Sequence, residues 1–128
     1  MESDVLARVR GIALALPRVR ERLSHGAPCF FVGDRPICYL HDHHRGDDRV
    51  ALWCPARPGA PAAYVGAEPE RYFAPQQSAR GTFSGWLGVY LDLKGEPGVD
   101  CDEIAVLLEE AFRQVAPAAV IATLDRRR

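Results

Sequence analysis

The residue types that could do chemistry in this chain are few, and the densest group is His41-Asp42-His43-His44. On an extended backbone His41 and His43 would share one face, and Asp42 and His44 the other. Imidazole and carboxylate suit zinc and other divalent ions. A resident metal site, however, fixes three or four ligands with a supporting shell of hydrogen bonds. Here the four residues open a polar run that continues Arg45-Gly46-Asp47-Asp48. That context reads as a solvated turn, and no metal is assigned.

His25 sits beside Ser24 in a Ser-His-Gly-Ala-Pro run. It reads as a structural histidine bonded to nearby backbone, or as a polar group facing a ligand cleft together with Trp53. Ser24 is not a nucleophile elbow, because no G-x-S-x-G frames it. A nucleophile–base pair assembled only by the fold stays open, but the sequence offers no catalytic constellation and no enzyme is expected. Gly85-x-x-Gly88 has the wrong spacing for a phosphate loop and lies within an apolar alternation. No cofactor is expected.

Arginine is the remaining chemical resource. Arg18, Arg20 and Arg22 alternate along a short charged segment read as a strand, so they would project from one face. Arg35, Arg45 and Arg49 flank the next hairpin and loop. Guanidinium forks suit phosphate oxygens and base edges. Glu21, Asp34, Asp47 and Asp48 lie close in sequence and could instead make a salt-bridged surface. Trp53, Tyr72, Phe73 and Trp86 read as sheet packing, with a base-stacking platform as the alternative.

The elements that must position these groups are legible from periodicity. Val5, Leu6, Val9, Ile12, Ala13 and Leu16 recur at helical spacing, giving a helix over 4–14 that Pro17 stops. Segments 18–24, 29–32, 35–41 and 49–54 read as strands, the second and third joined by a tight Gly33-Asp34 turn. In the third, Ile37 and Tyr39 are expected on one face and Cys38 and Leu40 on the other. A short helix over 61–67 and a brief strand over 72–74 follow. Residues 86–93 alternate as a strand, with Leu87, Val89, Leu91 and Leu93 on one face. Asp100 and Glu103 resemble a capping box, ahead of a helix lined by Ile104, Leu107, Leu108, Ala111 and Val115. One or two more helical turns follow Pro117, and the tail 125–128 is expected to fray. The order predicts an α+β fold, an antiparallel sheet with helices packed on one face. No βαβ alternation supports a dinucleotide fold.

Bulk properties agree with one domain over 1–128. The chain has 128 residues, 48% hydrophobic and 26% charged, enough to bury a core without staples. No stretch approaches the roughly 18 apolar residues of a membrane span, and no secretory signal is visible. A cytoplasmic monomer is expected. Cys29, Cys38 and Cys54 lie in apolar runs without paired spacing and read as free thiols. Net charge is −1. A protein that grips nucleic acid through phosphates usually carries a basic excess, so any such binding must come from a local patch.

The ordered set of short motifs is similar to the MmcQ/YjbR family. Leu16-Pro17 ends the first helix, and His25-Gly26-Ala27-Pro28-Cys29-Phe30 opens a strand. Leu52-Trp53-Cys54 precedes a Pro58-Gly59 linker, and Glu68-Pro69-Glu70-Arg71-Tyr72-Phe73 follows it. Gly85-Trp86-Leu87-Gly88-Val89 closes the sheet, and an acidic helix ends at Val115-Ala116-Pro117. The resemblance covers Val5 to about Pro117. It implies a YjbR-like α+β domain compared with a "double wing" DNA-binding domain, hence DNA as partner, with no catalytic residues to carry over. One departure stands out: family members usually carry a Pro-Pro-Tyr-Val-Gly type segment before the Gly-Trp strand, and residues 75–84 here do not. The alternative to DNA is a small-ligand or protein-interaction domain using a cleft between sheet and helices.

Overall fold

The computed structural model describes residues 2–24, 26–41, 50–75, 81, 83–91 and 101–127. Four helices and six strands form in the order α1 (Glu2–Leu14), β1 (Val19–Ser24), β2 (Ala27–Val32), β3 (Arg35–His41), β4 (Ala51–Pro55), α2 (Ala60–Ala67), β5 (Tyr72–Phe73), β6 (Trp86–Tyr90), α3 (Cys101–Val115) and α4 (Ala118–Arg126). The strands make one sheet in the order β1-β2-β3-β4-β6-β5, and every pairing is antiparallel. This is the α+β architecture read from the sequence. The chain leaves β4, forms α2 and the edge strand β5, then returns β6 between β4 and β5.

The helices share one side of the sheet. Phe30, Val32, Cys38, Leu40, Leu52, Cys54, Tyr72, Leu87 and Val89 point from the strands into one core. Val9 and Ala13 of α1, Ile104, Leu107, Leu108, Ala111 and Phe112 of α3, and Leu124 of α4 meet them. The i, i+3, i+4 spacing on α3 puts all five of its residues on one stripe. Apart from a bulge in β3, the strands alternate, so their remaining residues face away from the helices.

β3 breaks the expected alternation. Phe30 pairs with Cys38, but Phe31 pairs with Pro36, a register shift that leaves Ile37 as an extra residue. The bulge lets Ile37 and Cys38 both enter the core, fully buried. Tyr39 and Leu40 resume the alternation, so Ile37 does not share a face with Tyr39 as expected. Gly33, at φ 61°, takes the left-handed conformation that the turn before β3 requires.

The element bounds differ in smaller ways. β1 begins at Val19; Arg18 is in the preceding turn with φ 60°. β6 stops at Tyr90, Leu91 forms a bend, and residues 92 and 93 lie outside the described residues. The chain after Pro117 is more regular than expected. α4 runs to Arg126, and Arg127 donates to the Ala15 carbonyl at 2.7 Å, so the described part of the tail is seated on the end of α1.

All four cysteines are free, three of them buried. Burial pushes the Cys54 and Cys29 thiols up to about 12, and Cys38 well above the ordinary thiol value. They behave as small hydrophobes, in keeping with their apolar context.

Glu103, expected as part of a capping box, is engaged with β5. It accepts the Tyr72 hydroxyl at 2.5 Å and lies 3.2 Å from the Arg71 guanidinium. Burial and that carboxylate push the Tyr72 phenol above its ordinary value. This contact ties the short edge strand to α3. Asp100 lies outside the described residues.

Candidate functional site

The helix-free face of the sheet is built from the second residue of each alternating pair. Strand register aligns six of these residues into one row across the whole sheet: Arg22, Cys29, Tyr39, Trp53, Gly88 and Phe73, each the direct partner of the next. A second, shorter row is His41, Ala51 and Tyr90, and Trp86 pairs with Pro55 on the other side. The face is therefore aromatic across β3, β4, β6 and β5, and arginine-bearing at β1.

The rings touch in an unbroken chain. Trp53 lies 4.3 Å from the His41 ring, 5.0 Å from Phe83 and 6.4 Å from Phe73 between centroids. Tyr39 lies 5.8 Å from both Phe83 and Trp86, and Phe73 packs 4.7 Å from Tyr90. These are the offset and edge-to-face distances that aromatic pairs favour, each contributing about 0.5–1.5 kcal/mol beyond area burial. All seven rings are only partly buried, unlike Phe30 and Phe112 on the helix side, which are fully buried.

Gly88 makes the row possible. A Cβ at this position would sit 2.3 Å from the Phe73 ring. The ring thus lies across the β6 backbone where a side chain would stand, the way aromatic residues cover a glycine on a neighbouring strand. Gly88 thus has a packing role, while Gly85 takes a positive φ of 80° in the turn before β6.

The charges of β1 separate by face. Val19 is in the core, and Glu21 points to the helix side, where the Arg10 guanidinium of α1 donates to both its oxygens at 2.6 and 2.8 Å. That pairing holds the Glu21 carboxyl below the ordinary range, against the opposing effect of burial. Arg20 and Arg22 point to the open face and are exposed. The Arg22 guanidinium lies 4.2 Å from the Phe31 ring centroid, at cation–π distance. Glu21 is the single carboxylate among all residues of the six strands, so the strand residues of the open face carry arginine and histidine but no acid.

The arginines singled out in the sequence are thus not one surface. Arg20 and Arg22 share the open face. Arg18 belongs to the turn before β1, not to the strand, because the chain reverses there with a positive φ. Arg35 precedes the bulge on the helix side, its guanidinium 3.5 Å from the Val115 carbonyl. Arg45, Arg49 and His25 lie outside the described residues, as do Asp42, His43 and His44 of the histidine cluster. His41 itself is an aromatic-row residue, and among the described residues no group of three or more His, Cys, Asp and Glu is placed to hold a metal.

Trp53 stands in the middle of the open face. The space between sheet and helices, where a ligand cleft was considered, holds the packed core beneath it. A groove of about 560 Å³ does exist elsewhere, on the outer surface between α1 and α3. Its lining is mostly small and apolar, including Gly11, Ala15, Ala105 and Leu124, with Arg8 and Glu109 also present.

Sequence reasoning found Trp53, Phe73 and Trp86 but missed that Tyr39, His41, Tyr90 and Phe83 complete the same cluster. Tyr39 and Tyr90 carried a signal, since each alternates with core residues of its strand. Tyr72 belongs to the opposite face, as its burial against Glu103 shows. Phe83 carried none, because it comes from the atypical segment before β6.

The fold and this face define an α+β protein with helices on one side of an antiparallel sheet and a polar-aromatic surface on the other. The family model for YjbR matches residues 14–114, which include every strand, and the chain belongs to the YjbR family. No curated protein matches the chain significantly. No described helix is long and apolar enough to cross a membrane.

Proposed function

We propose that the protein is a nucleic-acid-binding module, with DNA as its partner, and that the helix-free face of the sheet is the contact surface. The observation that carries this reading is the sorting of charge on β1. Glu21 is turned to the helix side and tied to Arg10, while Arg20 and Arg22 stand exposed beside an aromatic row that includes no carboxylate among its strand residues. Arginine side chains on such a surface neutralise phosphates, and half-exposed rings beside them accept bases. Arg45 and Arg49, which the sequence places between β3 and β4, complete the phosphate contacts in this reading.

The net charge of −1 gives no long-range attraction, so binding is weak and sequence-independent. With about three or four phosphate contacts, log affinity falls against log salt with a slope of about −3 to −4. Fluorescence anisotropy of labelled DNA oligonucleotides at low salt is the direct test. The double change Arg20→Ala/Arg22→Ala should weaken binding equally across sequences and flatten the slope by about 2. An absence of binding to DNA of either strandedness at tens of micromolar protein would remove this reading.

A further inference from the structure

We infer that the face takes single-stranded nucleic acid in preference to duplex, by stacking unpaired bases on the aromatic row; this rests on the nucleic-acid reading above. Two features of the face separate the two partners. First, its described strands supply few cations for phosphates. Arg20 and Arg22 are the only arginines on the open face among the described strand residues. A duplex offers paired phosphate rails and buries the π-faces of its bases in its own stack, leaving only base edges in the grooves. A surface built for it relies on cations, and the described strands of this face supply two.

Second, the non-ionic resource of the face is aromatic. Tyr39, Trp53, Phe73, Trp86 and Tyr90 come from four strands, and each is only partly buried. The register row from Arg22 to Phe73 crosses six strands, five interstrand steps of about 4.8 Å, or about 24 Å in all. That length accommodates several bases of an extended single strand. The row is also polar in sense: the cation lies at the β1 end, over Phe31, and the uncharged rings lie toward β5. A strand lying along it would meet guanidinium with its phosphates at one end and rings with its bases at the other. Stacking tolerates any base because each has a π-face, so a chain with net charge −1 can bind single strands without sequence preference.

DNA and RNA single strands share this chemistry, and the experiment distinguishes them. The chain has two tryptophans, Trp53 and Trp86, and both belong to the cluster, so intrinsic fluorescence reports on this face alone. The full-length protein is titrated with a ten-nucleotide oligo-dT, the matching oligo-rU and a mixed-sequence DNA duplex of equal length. Tryptophan emission is followed together with anisotropy of the labelled strand. The expected result is quenching by the single strands and affinity for them at least about tenfold above that for duplex. Trp86→Ala and Tyr90→Ala should each weaken single-strand binding by about 5- to 100-fold while leaving the salt slope unchanged. Tyr90→Phe, which keeps the ring, should restore it. Circular dichroism and thermal melting of each variant separate loss of stacking from loss of fold. Equal or tighter binding of duplex with unchanged tryptophan emission would overturn this inference and leave the nucleic-acid reading standing. No binding of any of the three probes would overturn both. The ratio of oligo-dT to oligo-rU affinity then identifies which single strand is preferred.

Discussion

The two faces of the sheet use the same strands for opposite ends. On the helix side the strands supply a buried, mostly aliphatic core, joined by Phe30 and Tyr72, that α1, α3 and α4 meet. On the open side, one residue along each strand, exposed Arg20 and Arg22 and partly buried rings stand among small buried residues such as Cys29, Ala51 and Gly88. Cys38 and Tyr39 are neighbours in the chain, yet one is a thiol closed off from solvent and the other a ring in a surface cluster. An antiparallel sheet with one solvated face normally places polar side chains there. Here Tyr39, His41, Trp53, Phe73, Trp86 and Tyr90 put partly buried rings there instead. A contiguous exposed apolar patch, where it is large enough, marks an interaction surface. The contrast teaches that helix packing and ring clustering are divided by strand parity in this fold.

The contrast predicts unequal costs of truncation. Phe112 is fully buried at the centre of the helix-side core, and Phe112→Ala should destabilise the protein by about 3–5 kcal/mol. Trp86→Ala, a larger deletion from the open face, should cost only about 1–2 kcal/mol, since its ring is already partly solvated and its losses are a few ring contacts. Urea denaturation of the two variants measures both. Equal costs would mean the open face is a second core, and the comparison would fail.

A smaller effect tests how the row is held flat. Gly88→Ala places a methyl 2.3 Å from the Phe73 ring. The obstruction is the far edge of a side chain on a two-residue edge strand, so the ring gives way and the β6 backbone need not. The expected cost is about 1 kcal/mol, at the low end for overpacking. Near-ultraviolet circular dichroism should change as Phe73 leaves Trp53 and Tyr90. Adding Phe73→Ala should make the second substitution cost less than it does alone. A neutral Gly88→Ala with an unchanged aromatic spectrum would show that Phe73 does not depend on the glycine.

Much of this division was legible in the sequence. The apolar stripes of α1 and α3, the tight Gly33-Asp34 turn and the meander all follow from local periodicity, and the family motifs fixed their order. The failures are those where a nonlocal contact overrides a local rule. Ile37 follows strict alternation in sequence, but the bulge opposite Phe31 shifts it into the core. Arg18, Arg20 and Arg22 look like one row until the turn at Arg18 removes the first. The aromatic surface was the hardest to see, because it needs the register of five pairings at once. Trp53 and Phe73 are twenty residues apart and become neighbours only through Gly88 of a third strand.

The smallest expected effect concerns the one acid in the sheet. Glu21 and Arg10 form a two-pronged pair on the helix side, and the Arg10 bonds hold the Glu21 carboxyl below its ordinary value. A carboxyl whose folded pKa is depressed stabilises the fold at pH values above the unfolded value, about 4.3 for glutamate. That contribution is lost as pH falls through the folded value. Glu21→Gln should therefore lower the melting temperature slightly at pH 7, and the gap from the parent should close on acidification below about pH 4. Both residues are substantially exposed, so added salt should shrink the gap as well. The same variant sharpens the comparison of faces. It removes a negative charge from β1, between Arg20 and Arg22 in sequence but on the opposite side of the sheet. If binding reads the open face, single-strand affinity should change far less in Glu21→Gln than in Arg20→Ala/Arg22→Ala. If binding responded only to total charge, Glu21→Gln would tighten it by as much as losing one arginine weakens it, and the division of β1 into two faces would have no functional meaning.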